Sequence, residues 1–256
     1  MRAEILAERA EMPVEIPERP RAQLCFHSRS RDAPPGRGVH EFADRPADFA
    51  ELAAIPGWRE VLSNFHAEEF VVDGRVWPSV EHYYQASKFF RGNPDFSELF
   101  TAHDPAHDPR AEAPVEIGPN VRPLAVAIRA EIWTSPVIAK AAGGRTGKLK
   151  NMLVRPKAVT MDPDFFDGRH NDEMLTALRA KFSQCDGPRT VLLATNDAIL
   201  VHTSGRGAPA EVQHLLMQVR DEIRGDLRDE IRAEIRGELL AGEVDAGLDA
   251  HRREVA

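Results

Sequence analysis

Trp77-Pro78-Ser79-Val80-Glu81-His82-Tyr83-Tyr84-Gln85-Ala86-Ser87-Lys88-Phe89-Phe90 is the stretch on which the reading of this chain turns. Pro78 opens a helix, and Ser79 is placed to cap it by accepting a hydrogen bond from a free main-chain N–H of the first turn. Glu81 falls in that first turn, where the helix dipole favours a carboxylate. The helix should run to about Phe90, because Gly92-Asn93-Pro94 cannot continue it. Glu81, Gln85 and Lys88 are four and three residues apart, so a carboxylate, an amide and an ammonium share one face, with Tyr84 beside them. His82 and Phe89 lie on neighbouring faces, and Phe89 with Phe90 anchors the helix to a core. Spacing alone is also that of a solvated surface triad.

Just before this helix, Phe70-Val71-Val72-Asp73-Gly74-Arg75-Val76-Trp77 reads as two short strands around an Asp-Gly turn. After it, a helix from about Asp95 to Thr101 is expected, then an irregular insertion from His103 to Pro123 that holds five prolines. Further helices are expected over Leu124–Trp133, Val137–Ala142 and Asn171–Ser183, the last with Met174, Leu175, Leu178 and Phe182 at core-facing spacing. Val191 to Thr195 reads as a short buried strand, with Ile199-Leu200-Val201 as its hairpin partner. From Ala210 the chain should be helical. Ile223, Leu227, Ile231, Ile235 and Leu239 recur every fourth position, a slowly drifting apolar stripe suited to packing or self-association.

Upstream, Met12 to Pro20 carries three prolines among charges and reads as a tail, with order starting near Gln23. Arg31 to Gly38 reads as a surface loop. The expected organisation is a tail over 1–22, one domain over 23–222 with an insertion near 103–123, and a charged amphipathic helix over 223–256. The fold class is α+β: a helix-rich single domain with a small antiparallel sheet.

The 256 residues are 42% hydrophobic, enough for a real core. Lys and Arg number 33 against 41 Asp and Glu, a formal net charge of −8, so no global field attracts a nucleic-acid backbone. A nucleic-acid substrate needs a local basic cleft. Cys25 and Cys185 lie far apart without Cys-x-x-Cys spacing, which fits buried or incidental thiols. The first residues break into charge before an apolar run develops, and no stretch has the length of a membrane span. A cytoplasmic protein with no membrane partner is expected.

Leu62-Ser63-Asn64-Phe65, the Phe70–Gly74 block and the Trp77–Phe89 block, in that order, resemble the opening of the NADAR family, also called YbiA-like. Ser135-Pro136 through Gly144-Arg145, Ala177 to Phe182, Leu192 to Thr195 with Leu200-Val201, and Leu215 to Arg220 fit the same family. The resemblance covers about Leu62 to Arg220, with Phe26 a candidate for the family's first strand. It implies hydrolysis of an N-glycosidic bond at a ribose carbon with no metal or other cofactor. The implied substrates are ADP-ribose attached to guanine, in DNA or a nucleotide, or phosphoribosylamino-pyrimidine intermediates of riboflavin synthesis.

On that resemblance Glu81 is the catalytic residue, which suits a reaction passing through an oxocarbenium-like state. Asn64, Phe65, His82, Tyr84, Gln85, Lys88, Arg145, Phe166 and Lys181 are the implied substrate-binding residues. Arg145 suits a phosphate or diphosphate, and Lys181 either reaches a phosphate or extends to solvent. The chain departs from the family in carrying Asp164-Phe165-Phe166-Asp167 where a tryptophan is usual, and Thr203 to Pro209 in place of a Trp-Gly segment. Part of Thr146 to Val154 also reads as an insertion. These departures keep open a non-catalytic module that binds ADP-ribose or nucleotides.

Three other signals are set aside. Gly143 to Leu149 lacks the first glycine and the hydroxyl of a phosphate loop. The two His-Asp-Pro repeats lack a third clustered metal ligand. Ser63 and Ser79 lack nucleophile-elbow surroundings.

Overall fold

The computed structural model describes residues 20–30, 33–102, 131–203 and 209–254, the side chains only as far as 236. The insertion near 103–123, most of the helix expected over Leu124–Trp133, and the His-Asp-Pro repeats lie outside the described residues.

Strand β1 (Gln23–Phe26) pairs in parallel with β6 (Ile199–His202), and β6 pairs antiparallel with the short β7 (Glu211–Val212). Two antiparallel hairpins stand apart from this sheet: β2 (Phe70–Val72) with β3 (Arg75–Trp77), and β4 (Lys148–Leu149) with β5 (Met152–Leu153). The first turns on Asp73 and Gly74, both at positive φ, which is what an Asp-Gly turn supplies. The second turns at Lys150, also at positive φ, within the segment read as part insertion.

Around these strands pack α1 (Ala50–Ala53), α2 (Trp58–Val61), α3 (Val80–Ala86), α4 (Pro94–Ser97), α5 (Pro136–Gly143), α6 (His170–Gln184), α7 (Asp186–Ala194) and α8 (His214–Glu254). The chain is therefore α+β and helix-rich, with a mixed three-stranded sheet beside the hairpins. α3 continues as a 3-10 turn over Ser87–Phe89 and packs between α5 and α6. Its flanks are aromatic: Trp77 meets Tyr83 edge-on at 5.0 Å, and Phe89 meets Phe96 at 4.9 Å. Trp77 and Phe89 are fully buried, worth about 2–3 kcal/mol each.

Two expectations are corrected. Val191 to Ala194 is the end of helix α7 and not a strand; Pro188, Val191, Leu192 and Ala194 bury one helical face. A run of four apolar residues is too short for its period to separate strand from helix. In consequence β6 has no hairpin partner there, and its partners are β1 and β7. The chain also makes strand β7 before turning helical at His214, four residues later than Ala210.

α8 runs without a break through the boundary expected between 222 and 223. Its first turns belong to the core: Leu216, Val219 and Arg220 are buried, and Arg220 donates to the Ala198 carbonyl at 2.8 Å and the Thr195 hydroxyl at 3.0 Å. Further along, the apolar stripe rotates away from the body, because a four-residue repeat advances about 40° per step on a 3.6-residue helix. Ile231 and Ile235 are accordingly exposed. No described helix is long and apolar enough to cross a membrane. Cys25 and Cys185 are free and buried.

Candidate active site

Helix α3 starts as its sequence demands. Ser79 is extended, its hydroxyl accepts the His82 N–H at 3.4 Å, and the same hydroxyl is hydrogen-bonded to His82 Nδ1 at 2.7 Å. His82 is thereby a buried part of the cap, and burial pushes its pKa down to about 4, so the ring is neutral at pH 7.

Glu81, Gln85 and Lys88 form one hydrogen-bonded line. Gln85 Nε2 donates to Glu81 Oε1 at 2.9 Å, and Lys88 Nζ donates to Gln85 Oε1 at 2.6 Å and to the Gly143 carbonyl at 3.1 Å. All three side chains are buried, which removes the solvated-triad reading. Burial raises the Glu81 pKa above the ordinary carboxylate value, against the opposing pull of Lys140, the Gln85 hydrogen bond and Lys88. Burial also pushes Lys88 down to about 8. A carboxylate and an ammonium are thus held with their proton affinities moved toward each other, a pattern frequent at functional sites.

Gly143 allows this approach. A Cβ on Gly143 would lie 2.2 Å from Gln85 Oε1, so only glycine lets α5 lie against α3 at this point.

Aromatic rings wall the line on one side. The Lys88 ammonium lies over the Tyr84 ring at 5.0 Å, Phe165 at 5.9 Å and Phe166 at 6.0 Å. Phe165 is fully buried, while Phe166 is 59% exposed and offers a free face. Arg169 holds their segment to the helix: it donates to Asp162 at 2.6 Å, Glu173 at 3.2 Å and the Ser87 carbonyl at 2.9 Å. Asp162 in turn accepts the Gly92 N–H at 2.8 Å.

On the other side stand Asn64 and Phe65. The Asn64 carbonyl accepts the Glu81 N–H at 2.9 Å, and its side-chain amide reaches Met174 Sδ at 3.6 Å. The Phe65 ring lies 5.1 Å from the Lys140 ammonium. Phe65 and Lys140 also line a cleft of about 910 Å³ whose other walls include Arg29, Arg37, His202 and Arg59. Glu81 is not itself a lining residue of that cleft; Phe65 and Lys140 connect the two.

Lys181 and Arg145 lie elsewhere. Lys181 is completely buried and donates to the carbonyls of Val61 at 2.6 Å and Ser63 at 3.1 Å. It does not reach solvent, and fastens the turn that carries Asn64. Arg145 is exposed, and its carbonyl accepts from Arg155 at 3.2 Å. Arg155 is the arginine nearer the line, with its guanidinium on the Ala142 and Gly144 carbonyls and 5.5 Å from the Phe89 ring. Sequence reading missed Lys140, Arg155, Arg169 and the cleft arginines. Lys140 precedes Gly143 by three positions on α5, a spacing that could have drawn notice; Arg155 left no local signal.

No family model matches the chain. It is 29% identical over 175 residues to proteins named N-glycosidase YbiA from Shigella flexneri and Shigella boydii serotype 4, a match covering 63% of this chain and 80% of the relative. The solution structure of the E. coli protein YbiA aligns over 84% of this chain and 95% of that one, at 24% identity and a TM-score of 0.40. The chain is thus similar to these relatives over most of their length, and the similarity supports a YbiA-like (NADAR-like) domain.

Proposed function

We propose that this enzyme hydrolyses the bond between a ribose C1 and a base nitrogen, with Glu81 as its catalytic carboxylate, and that its substrate is ADP-ribose attached to guanine. The observation that carries the reading is the buried Glu81–Gln85–Lys88 line, in which an amide fixes one carboxylate oxygen while, among the described residues, no side chain donates to the other.

In such a reaction the C1–N bond lengthens before water attacks, and positive charge collects on C1 and the ring oxygen. An ionised Glu81 beside that carbon stabilises the charge and takes a proton from the incoming water. The water oxygen bonds to C1, and the proton that Glu81 takes passes to the departing base nitrogen, which regenerates the carboxylate. Lys88 and Gln85 keep the carboxylate oriented, and low exposure strengthens each of these electrostatic interactions. Phe166 and Tyr84 offer faces on which a base can stack.

The test is to incubate the purified chain with ADP-ribosylated guanine in DNA and, separately, with a phosphoribosylamino-pyrimidine, each beside Glu81→Gln. Release of ADP-ribose that disappears in Glu81→Gln is the expected result. Cleavage of the pyrimidine alone would replace the substrate and keep the reaction. Tight ADP-ribose binding with no turnover on either would replace the enzyme with a binding module.

A further inference from the structure

We propose that the cleft roofed by residues 33–41 is a diphosphate subsite, in which Arg29, Arg37 and Lys140 take the phosphate oxygens of the substrate's ADP-ribosyl group. This rests on the reading of the chain as acting on an ADP-ribosylated base.

The sign of charge inside the cleft is opposite to that of the molecule. The chain carries a formal net charge of −8, yet the described lining includes Arg29, Arg37, Arg59 and Lys140 against one carboxylate, Glu41. That carboxylate is fully engaged. It accepts the N–H groups of Cys25 at 3.1 Å, Gly36 at 3.1 Å and Gly38 at 2.7 Å, and both arms of Arg59 at 2.9 and 2.8 Å. Glu41 and Arg59 cancel one another, so they supply no net field. Arg29, Arg37 and Lys140 are exposed, and among the described residues no carboxylate pairs with them. Three cations with no carboxylate partner among the described residues concentrate a positive potential in this cleft, which is what a phosphodiester or diphosphate needs.

The roof is preorganised. Gly36 sits at φ +80, and a Cβ there would come within 2.4 Å of the Ala43 Cβ; a Cβ on Gly38 would come within 2.7 Å of the Glu41 carboxyl carbon. Only glycine at both positions lets the loop wrap its N–H groups onto Glu41. Arg59 tightens the wrap by donating to the Ala33 carbonyl at 2.6 Å. A loop fixed before binding loses less entropy on binding, so Arg37 is delivered to the cleft already placed.

Phe65 and Lys140 line the cleft and adjoin Glu81, Lys140 closely enough to pull its carboxyl pKa down against burial. A ligand with its ribose C1 at Glu81 would extend its phosphates past Lys140 toward Arg29 and Arg37. A cleft of about 910 Å³ is large enough for a ligand of dinucleotide size.

The experiment compares the full chain, Arg29→Ala/Arg37→Ala, and Arg228→Ala as a charge control on the distant exposed helix. Calorimetric titration with ADP-ribose and steady-state kinetics on ADP-ribosylated guanine DNA are measured for each, with thermal midpoints to establish folding. The double variant should bind ADP-ribose about 10- to 100-fold more weakly, and KM should rise in step while kcat stays within about twofold. Inorganic pyrophosphate should compete with ADP-ribose on the unsubstituted chain and not on the double variant. Unchanged ADP-ribose affinity in the double variant, or an equal loss in Arg228→Ala, overturns the subsite even if turnover proceeds. Arginine-dependent binding without turnover on any ribosylated base supports the subsite and removes the hydrolytic reading.

Discussion

The main-chain N–H of Glu81 donates to the Asn64 carbonyl at 2.9 Å, so the carboxylate-bearing turn of α3 is tied to the turn that precedes the first hairpin. That turn is itself fastened from beneath by Lys181, whose ammonium takes the carbonyls of Val61 and Ser63. A buried lysine on one helix thus sets the position of a carboxylate on another through a single intervening residue.

Glu81→Gln should reduce kcat about 10²- to 10³-fold in a discontinuous assay of base release, because the amide cannot stabilise positive charge or take a proton. The same variant should be more stable than the native chain at alkaline pH. Burial raises the folded-state pKa of Glu81, so the native chain's stability is greatest where the group is protonated and declines as pH rises through that value. Thermal melts across pH 4 to 9 should show the two proteins converging at the acidic end. A native chain that gains stability over Glu81→Gln with rising pH would contradict the burial argument.

The pH dependence of kcat/KM should be bell-shaped. Its acidic limb lies above the ordinary carboxylate range because Glu81 must ionise against burial, and its alkaline limb lies near pH 8, where Lys88 loses its proton. Lys88→Met should abolish the alkaline limb and lower the plateau. Persistence of that limb in the variant would assign it to another group.

Lys181→Met should lower stability by about 1–3 kcal/mol for each carbonyl left unsatisfied, read from urea melts, and should lower turnover through Asn64. Burial pushes Lys181 down to about 7, so between that pH and the ordinary lysine value the unfolded chain binds a proton the folded chain does not. Its contribution therefore rises with pH across that window and falls away as pH drops through 7. The methionine variant should lose this part of the pH slope.

Gly143→Ala should cut kcat/KM more than about 10-fold by displacing Gln85, whose Oε1 occupies the space of the new methyl. Gly187→Ala is the matched control: nothing lies within 4 Å of its Cβ position in α7, so activity should be unchanged. Its stability should hold or rise by up to about 1 kcal/mol, from the higher helix propensity of alanine. Equal losses at the two glycines would remove the close-contact explanation.

The sequence by itself determined whatever depends on near neighbours. Ser79 capping α3, the Asp73-Gly74 turn, the one-faced spacing of Glu81, Gln85 and Lys88, and the ends of α5 and α6 all rest on preferences acting over a turn or two of chain. The family resemblance added the chemistry to that spacing. Tertiary structure alone decided whether the triad was solvated or enclosed, because that depends on Gly143 and on rings from the Asp162–Arg169 segment closing over α3. It turned Lys181 inward onto two carbonyls and set the Arg155 guanidinium on the Ala142 and Gly144 carbonyls, since both outcomes follow from which carbonyl groups lie within reach in three dimensions. It also assigned Val191 to Ala194 to a helix, because β6 found its parallel partner at the opposite end of the chain in β1. Parallel pairing of that kind leaves no local signature, and the cleft it helps to frame could be recognised only once Arg29, Arg37 and Lys140 were brought to one wall.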